Sequence, residues 1–223
     1  MIKAVLFDID GTLIDSVDAH ARSWQEVLAR YGREIPFEEV RQQIGKGGDQ
    51  LMPVFLPEDL IAKQGKQIEQ DRSELFKRKY LPGVRPFPGN RELFQRIKAD
   101  GTRIVLASSA KGDELEAYKR IAQIEDLIED ETSSDDAERS KPHPDIFEAA
   151  MAKLRDIPPE AVIVVGDTPY DAEAAGKAGL RTIGMLCGGF PEAELRAAGC
   201  IALYRDPLDL AQQYDRSPLR RGE

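Results

Sequence analysis

The sequence predicts an α/β fold in which a parallel sheet carries an inserted α-helical segment. Two observations lead to this prediction. Short apolar runs alternate with helical patterns along most of the chain, and these runs are apolar on both faces, which is typical of parallel strands. Between residues 16 and 81, by contrast, the pattern is helical and no convincing strand occurs.

The predicted strands are short apolar or β-branched runs that end in clusters of small or polar residues. The four clear runs are 2–7, 103–107, 161–165 and 182–186, and a weaker run covers 200–203. Helical patterns lie between the later runs, at 89–98, 144–154 and 171–178. This alternation predicts one parallel sheet with connecting helices.

The helical interval is predicted to begin with an amphipathic helix that Ser16 caps. Its apolar residues recur at helical spacing: Val17, Ala21, Trp24, Leu28 and Tyr31. A second long helix, rich in charges, is predicted over 57–80. The sequence therefore predicts two domains. They are a helical cap at 16–81 and a core formed by 1–15 and 82–223, whose polar last residues, 216–223, are expected to fray.

The composition is that of an ordinary globular chain of 223 residues, with 41% hydrophobic and 32% charged residues. The net charge of −9 argues against general binding to nucleic acids or anionic membranes, but it leaves room for a small anionic substrate. No apolar segment approaches the length that spans a membrane. We expect no nucleic-acid and no membrane partner, and the sequence is compatible with a monomer.

The two cysteines, Cys187 and Cys200, have no metal-site spacing, and we expect both to be reduced. The first apolar run is short and ends at Asp8, so no secretory signal is predicted. These features predict a cytoplasmic protein.

Two aspartates, Asp8 and Asp10, follow the first predicted strand. Residues two apart in a strand point the same way, so both carboxylates converge near the strand end, where Gly11 allows a sharp turn. Such a pair suits a divalent metal ion together with a carboxylate nucleophile. A plain Asp-Gly turn would also explain the motif. A calcium loop would not, because Thr12 and Ala19 stand where that loop needs an oxygen ligand and a glutamate.

Acidic residues also follow a later strand. Asp167 comes after the run 161–165, and Asp171 opens the next helix. Each could be a turn or cap residue when considered alone. Active sites in open α/β sheets, however, gather at the carboxyl ends of the strands, so two acidic strand ends in one sheet indicate a shared site.

Phosphate-binding candidates stand at two further places. Ser108 and Ser109 follow the second strand run, and a helix is predicted to begin near Lys111. Hydroxyl groups and free amides at a helix start suit a phosphate oxygen, although a helix cap explains them as well. Lys141 precedes Pro142 and should be extended. Beside clustered aspartates it would hold a transferred phosphoryl group; elsewhere it would be an ordinary surface lysine.

In this order the residues resemble the four motifs of the haloacid dehalogenase-like (HAD) superfamily, in the subgroup with a helical cap after the first strand. The motifs are Asp8-x-Asp10-Gly11-Thr12, Ser108, Lys141 and Gly166-Asp167-x-x-x-Asp171. The resemblance spans essentially the whole chain and implies a Rossmann-like core. Within the superfamily the chain is similar to phosphoglycolate phosphatases and to β-phosphoglucomutases.

The resemblance implies a Mg²⁺-dependent phosphatase that hydrolyses a small-molecule phosphate monoester through an aspartyl-phosphate. Asp8 would be the nucleophile, and Asp10 would protonate the leaving alcohol and then activate water. Mg²⁺ would be bound by the Asp8 carboxylate, the Asp10 backbone carbonyl and Asp167. Asp171 and Thr12 would support this centre from beside it.

The same resemblance implies that Ser108, Ser109 and Lys141 bind the phosphoryl oxygens. It also excludes two other activities of the superfamily. Dehalogenases lack an acid–base aspartate at the position of Asp10, and P-type ATPases carry a different first motif.

The principal alternative is a sugar-phosphate mutase similar to β-phosphoglucomutase. His20 and Trp24 favour the mutase, because its cap carries matching residues. The fourth motif favours hydrolysis, as does the loop 44–49, which lacks the arginine that would help a mutase to hold a bisphosphate. Lys46 could substitute for that arginine.

The loop 44–49 fails as a nucleotide-binding P-loop, because Lys46 is followed by Gly47 rather than by Ser or Thr. We expect a cap loop that enters the site and selects the substrate, with His20, Lys46 and Arg41 as candidate substrate contacts. A plain connection between helices is the alternative. A non-enzymatic binding module is the alternative of a different class, and the intact motifs argue against it.

Overall fold

The computed structural model describes residues 1–110, 112–133 and 136–221. Eight strands occur in these residues: β1 (Ala4–Phe7), β2 (Ile14–Asp15), β3 (Arg85–Pro86), β4 (Arg103–Ala107), β5 (Asp130–Thr132), β6 (Val162–Gly166), β7 (Arg181–Met185) and β8 (Cys200–Tyr204). Six of them form one parallel sheet in the order β5-β4-β1-β6-β7-β8, and β2 pairs with β3.

Eleven α-helices occur in the same residues: α1 (Val17–Arg30), α2 (Phe37–Arg41), α3 (Gly48–Phe55), α4 (Glu58–Leu75), α5 (Asn90–Ala99), α6 (Gly112–Ala122), α7 (Asp145–Lys153), α8 (Pro169–Lys177), α9 (Glu192–Ala197), α10 (Pro207–Gln212) and α11 (Pro218–Arg221). A π-helical turn, Phe76–Tyr80, extends α4. Short 3-10 turns lie at Leu81–Gly83, Glu125–Leu127, Pro159–Ala161 and Tyr214–Arg216.

Strand β1 lies in the middle of the sheet, between β4 and β6. Phe7 is in register with Leu106 of β4 and Val165 of β6, so the chain leaves all three strands at the same edge. Every residue of β1 and of β6 is buried, which explains why both strands are continuous apolar runs.

Hydrophobic cores cover both faces of β1, because alternate side chains of a strand point to opposite faces. Val5 and Phe7 belong to the core that contains buried residues of α5 and α6. Ala4 and Leu6 belong to the core that contains buried residues of α7 and α8. This two-sided packing makes β1 a rigid support for the residues that follow it.

The helices α1 to α4 lie between β2 and β3, and we refer to residues 17–80 as the cap. They share a hydrophobic core of their own, in which Trp24, Leu28, Leu51 and Ile68 are buried. The strands β2 and β3 pair antiparallel, with Ile14 opposite Pro86, so the chain enters and leaves the cap at neighbouring points. The division into two domains at residues 15/16 and 81/82 remains a prediction.

The predicted fold class, a Rossmann-like parallel sheet with a helical insertion, is confirmed. Two elements differ from the prediction. Strand β5 was not predicted, because Asp130–Thr132 is short and polar and pairs only with the edge of β4. The predicted helix 57–80 ends at Leu75 and continues as the π-helical turn.

The expected fraying of residues 216–223 is wrong for the described part of the tail. Leu219 in α11 is 3% exposed and belongs to a hydrophobic core, and Arg220 lies 3.4 Å from a carboxylate oxygen of Asp100. Residues 222 and 223 lie outside the described part. None of the described helices combines the length and the apolar character that a membrane crossing requires.

Candidate functional site

The carboxyl ends of β1, β4 and β6 carry most of the predicted site. Asp8 and Asp10 follow β1, Ser108 follows β4 and Asp167 follows β6. Gly11 turns the chain after β1 with a φ of +82°, a conformation that favours glycine. A Cβ atom at Gly11 would lie 2.2 Å from Oδ2 of Asp167, so glycine also permits the close approach of the two strand ends.

Asp8 is buried, and its two carboxylate oxygens have different partners. Lys141 Nζ donates to Oδ1 at 2.5 Å, and the Thr12 hydroxyl oxygen, which is closer to Asp167, lies 3.3 Å from Oδ2. Burial raises the pKa of Asp8 to about 7; the charge of Lys141 opposes this shift and that of Asp171 adds to it. A further cation beside Asp8 would favour the ionised carboxylate that a nucleophile requires.

Asp8, Asp167 and Asp171 form a buried carboxylate cluster. One oxygen from each residue lies within 4.8 Å of the other two. Thr12 donates to Asp167 Oδ1 at 3.0 Å, whereas Asp167 Oδ2 is buried without a hydrogen-bond partner among the described residues. Burial, together with Asp171 and Asp8, raises the pKa of Asp167 well above its ordinary value. An orphaned oxygen among three carboxylates fits a hard divalent cation such as Mg²⁺.

Lys141 is only 1% exposed and lies between two members of this carboxylate cluster. Its ammonium group is 2.5 Å from Asp8 Oδ1 and 2.7 Å from Asp171 Oδ1. Burial alone would lower the pKa of Lys141, but Asp171 and Asp8 raise it above its ordinary value, so the side chain stays charged. That Lys141 binds a phosphoryl group remains a prediction.

Asp171 is fixed by the start of helix α8. Its Oδ2 accepts from the Thr168 backbone N–H at 3.0 Å and from the Thr168 hydroxyl at 2.7 Å, while the Thr168 side chain accepts from the Asp171 N–H. This is a capping box in which aspartate takes the place of the usual glutamate. It leaves Oδ1 of Asp171 directed to Lys141.

The Asp10 side chain does not belong to the carboxylate cluster and has hydrogen-bond partners of its own. Ser16 donates to Oδ1 at 2.5 Å, His20 Nε2 lies 2.9 Å from the same oxygen, and the Tyr118 hydroxyl is also a hydrogen-bond partner. Burial alone would raise the pKa of Asp10, but His20 and the hydroxyl groups outweigh it and hold the pKa below its ordinary value. The predicted metal contact through the Asp10 backbone carbonyl remains a prediction.

Ser16 stands at the N-cap position of α1, as predicted, but its side chain makes no cap hydrogen bond. The prediction that Ser16 caps α1 is therefore correct for its position but wrong for its side-chain hydrogen bond. The Ser16 hydroxyl donates to Asp10 instead, which links the start of the cap to the predicted acid–base residue.

His20 is oriented by contacts on both ring nitrogens and on its face. Arg72 Nη1 lies 3.2 Å from Nδ1, and since a guanidinium group can only donate, Nδ1 must accept. The N–H of Nε2 is then directed to Asp10. The ring stacks on Phe76, with centroids 4.0 Å apart and planes at 6°.

The two serines after β4 are placed differently. Ser108 is fully buried, and its hydroxyl accepts from the Ala110 N–H at 3.0 Å. Ser109 is half-buried and lines the cavity next to Asp8 and Asp10. Their phosphate-binding roles remain predictions, and Lys111 lies outside the described residues.

The cap loop 44–49 lies directly on the core. A Cβ atom on Gly47 would lie 2.0 Å from the Ser140 hydroxyl oxygen, and one on Gly45 would lie 2.6 Å from Thr168 Cγ2. The Ser140 N–H donates to Asp49 Oδ2 at 3.1 Å. The loop thus needs glycines because its backbone lies directly against core side chains and leaves no room for side chains of its own.

This loop covers a cavity of about 80 Å³ that Asp8 and Asp10 line from the core. His20 and Lys46, the predicted substrate contacts, line it from the cap. Lys46 Nζ donates to Gln43 Oε1 at 2.6 Å and lies 4.7 Å from the centroid of the Tyr170 ring. The structure thus brings both cap residues to the same space as the two aspartates.

Arg41 lies away from this cavity. Its Nε donates to Asp18 Oδ1 at 2.7 Å, and its Nη2 donates to the carbonyl oxygen of Gly188 in the core at 3.1 Å. Arg41 thus links cap and core, and its expected substrate contact remains a prediction.

The unpredicted residues of the cavity region include Tyr118, Arg72 and Glu114. Arg72 and Glu114 line the cavity, and Tyr118 bonds to His20 and Asp10. Glu114 and Tyr118 are four residues apart on α6 and therefore share one helix face. That spacing, directly after Ser108, was the signal that could have identified them.

Comparisons with known proteins identify relatives that match most of this chain. A phosphoglycolate phosphatase from Nitrosospira multiformis is 30% identical over 183 residues, which cover 80% of each protein. A phosphorylated carbohydrates phosphatase from Thermotoga maritima is 25% identical over 210 residues, which cover 92% of this chain and 94% of that protein. The crystal structure of a hydrolase from Pseudomonas syringae has a TM-score of 0.86 and 27% identity, covering 96% of this chain and 98% of that one.

The family model that describes haloacid dehalogenase-like hydrolases matches residues 5–185, a span that runs from β1 to β7 and includes the cap. The residues that follow β1, β4 and β6, including Asp8, Asp10 and Asp167, all lie inside this match. The chain belongs to the haloacid dehalogenase-like hydrolase family.

Proposed function

We propose that the protein is a Mg²⁺-dependent phosphatase that hydrolyses a small-molecule phosphate monoester through an aspartyl-phosphate on Asp8. The family supports hydrolysis, and relatives named as phosphatases support a phosphate ester as the substrate. The observation that carries the proposal is the contrast between two neighbouring aspartates. Asp8 lies against Lys141 and two further carboxylates, whereas Asp10 is held by hydroxyl groups and a histidine.

In the first step, a carboxylate oxygen of Asp8 attacks phosphorus, and the bond from phosphorus to the ester oxygen breaks. Asp10 gives a proton to the departing alcohol. The donors around Asp10 favour its ionised form, so this step requires Asp10 to take up a proton beforehand. An anionic phosphoryl group entering the cavity favours that uptake, because a nearby negative charge raises the pKa of a carboxyl group.

In the second step, water attacks the phosphorus of the aspartyl-phosphate and releases inorganic phosphate and the Asp8 carboxylate. Asp10 takes a proton from this water; its lowered pKa keeps it ionised, and its hydrogen bonds fix its orientation for that transfer. Lys141 keeps its positive charge beside Asp8 during both steps and offsets the negative charge of the phosphoryl group.

Asp8, Asp167 and the predicted backbone carbonyl of Asp10 would hold Mg²⁺, with Asp171 next to them. Bound there, the ion would supply positive charge that brings the anionic phosphoryl group and the anionic nucleophile together. The orphaned oxygen of Asp167 is the observation in this chain that supports such a site.

The substitution Asp8→Asn tests the proposal. We expect turnover of p-nitrophenyl phosphate with Mg²⁺ to fall by about 10³-fold or more, since the nucleophile is lost. Asp18→Asn, the same change at an exposed aspartate outside the cavity, should leave turnover near that of the unsubstituted protein. Acid-quenched wild-type protein should carry a phosphoryl group on the peptide that contains Asp8. Sustained metal-dependent activity of Asp8→Asn would rule out the assignment.

A screen of metabolite phosphates distinguishes the phosphatase from the mutase. A mutase must hold a bisphosphate at both ends, and the cap cations that line the cavity, Lys46 and Arg72, already contact Gln43 and His20. We expect the release of free phosphate. Isomerisation of a hexose phosphate without phosphate release would favour the mutase.

A further inference from the structure

One wall of the cavity carries two charged residues that the proposed reaction does not use. Glu114 of α6 is 1% exposed, and its Oε1 has no hydrogen-bond partner among the described residues. Arg72 of α4 lies next to it; its side chain is 13% exposed, and its Nε has no hydrogen-bond partner in the part of the chain that the structure describes. Arg72 Nη1 lies 3.7 Å from Glu114 Oε1, too far for a hydrogen bond.

A buried polar atom without a partner costs free energy. Arg72 and Glu114 both line the cavity, so a ligand group that reaches both side chains would relieve this cost. The Glu114 carboxylate can only accept a hydrogen bond, and the Arg72 guanidinium group can only donate one. A hydroxyl group does both, because it donates through its hydrogen and accepts through its lone pairs. A carboxylate group can only accept, and it would meet the negative charge of Glu114.

The other charges that line the cavity reinforce this selection. Glu69 adds a second carboxylate to the cap side. Lys46 is held by Gln43 and the Tyr170 ring, and Arg72 is drawn toward His20 by its contact with Nδ1. An anionic leaving group would therefore meet two carboxylates and displace existing contacts of the cations.

We infer that Glu114 and Arg72 form a subsite for a hydroxyl group of the leaving alcohol, so that the enzyme prefers neutral, hydroxyl-bearing phosphate esters to esters that carry a carboxylate. This inference rests on the proposed phosphatase function. It assigns the choice of substrate to a residue pair that joins cap and core, and it makes Glu114 a specificity-determining residue.

Two substrates of nearly equal size test the inference on the wild-type protein. In 2-hydroxyethyl phosphate the leaving alcohol carries a hydroxyl group, and in 2-phosphoglycolate it carries a carboxylate at the same place. We expect kcat/KM with Mg²⁺ to be higher for 2-hydroxyethyl phosphate by about tenfold or more, because like charges in a partly desolvated site repel strongly. Equal values, or a preference for 2-phosphoglycolate, would overturn the inference.

The substitution Glu114→Gln separates charge from shape. Glutamine keeps the acceptor oxygen and removes the charge, so the ratio of the two kcat/KM values should shift about tenfold toward 2-phosphoglycolate. Glu114→Asp, which keeps the charge, should still discriminate against the carboxylate. Glu116→Gln, the same change at an exposed position of α6, should not change the ratio. An unchanged ratio in Glu114→Gln would mean that Glu114 serves only as a partner of Arg72.

Hydrolysis of p-nitrophenyl phosphate distinguishes failure of the proposed function from failure of the subsite. Apart from its ester oxygen, the leaving group of this substrate has neither a hydroxyl group nor a carboxylate. If the wild type hydrolyses no phosphate ester with Mg²⁺, including this one, the proposed function fails. If it hydrolyses p-nitrophenyl phosphate but does not prefer 2-hydroxyethyl phosphate, only the subsite fails. The wild-type comparison does not depend on whether the Glu114 variants fold.

Discussion

At the scale of single residues, the position of Asp10 depends on side chains that come from the cap as well as from the core. Ser16 and His20 stand at the start of the cap, and Tyr118 stands on α6 of the core. The Asp10 carboxylate can therefore be held in its place only when the cap helix α1 is packed as described. An acid–base residue without these donors would lose both its orientation and its low pKa.

His20 offers a direct test of this dependence. His20→Leu removes the Nε2 donor to Asp10, and we expect kcat for p-nitrophenyl phosphate to fall by about 10- to 100-fold, as is typical when general acid–base catalysis is impaired. His20→Gln can place an amide N–H near the same oxygen and should recover part of the loss. Equal activity of the leucine variant and the wild type would show that the histidine only packs against Phe76.

Asp167 allows the metal site to be tested without an activity assay. In the wild type, Mg²⁺ should raise the melting temperature, because a ligand that binds only the folded state stabilises it, and EDTA should reverse the rise. In Asp167→Asn the response to Mg²⁺ should be largely lost, since the orphaned carboxylate oxygen is removed. Without metal this variant should melt no lower than the wild type, because it also removes one of three crowded negative charges. An undiminished Mg²⁺ response would exclude Asp167 as a ligand.

At the scale of elements, the start of α8 serves both the stability of the fold and the geometry of the site. Its N-cap residue, Thr168, also holds Asp171 in place. Thr168→Ala removes the N-cap hydrogen bond of α8, so we expect it to reduce the free energy of unfolding by about 1–2 kcal/mol in urea denaturation. Thr102→Ala is the matched control: its hydroxyl makes only a 3.4 Å contact with the Ile2 carbonyl outside any helix start, and its effect should be smaller. Equal losses of unfolding free energy in both variants would argue against an N-cap role of Thr168.

The elements also show what a sequence can and cannot predict. Strands β1 and β6 were predictable because their burial on both faces makes them apolar, and the aspartates that follow them are then conspicuous. Strand β5 is polar and lies at the edge, so no apolar pattern marks it. Arg72 was not predictable, because α4 carries many charges and nothing in the sequence shows which of them faces the core; for Glu114 the only signal was its spacing from Tyr118 on α6.

At the scale of the whole molecule, cap and core approach each other closely at Gly47, which lines the cavity together with Ser140. Gly47→Ala places a methyl group against Ser140, so we expect kcat/KM to fall by about tenfold while the free energy of unfolding changes by less than about 1 kcal/mol. Gly83→Ala, at a position where a Cβ atom meets nothing within 4 Å, should have little effect.

A double variant checks the cause of this effect. Combining Gly47→Ala with Ser140→Gly removes the side chain that the new methyl group would strike, so activity should recover at least in part. If the two losses simply added, the contact between the cap loop and Ser140 would not be what limits activity.

The two-residue ribbon of β2 and β3 has a consequence for how this chain can change over time. Because Ile14 lies opposite Pro86, the inserted helices begin and end at adjacent points on the core, and their replacement leaves the path of β1 untouched. Cap variants could thus be recombined or exchanged between homologues as a cassette, provided that the new segment returns to the same ribbon. The choice of substrate can then diversify without loss of the chemistry only if the new segment keeps the Ser16 and His20 contacts with Asp10.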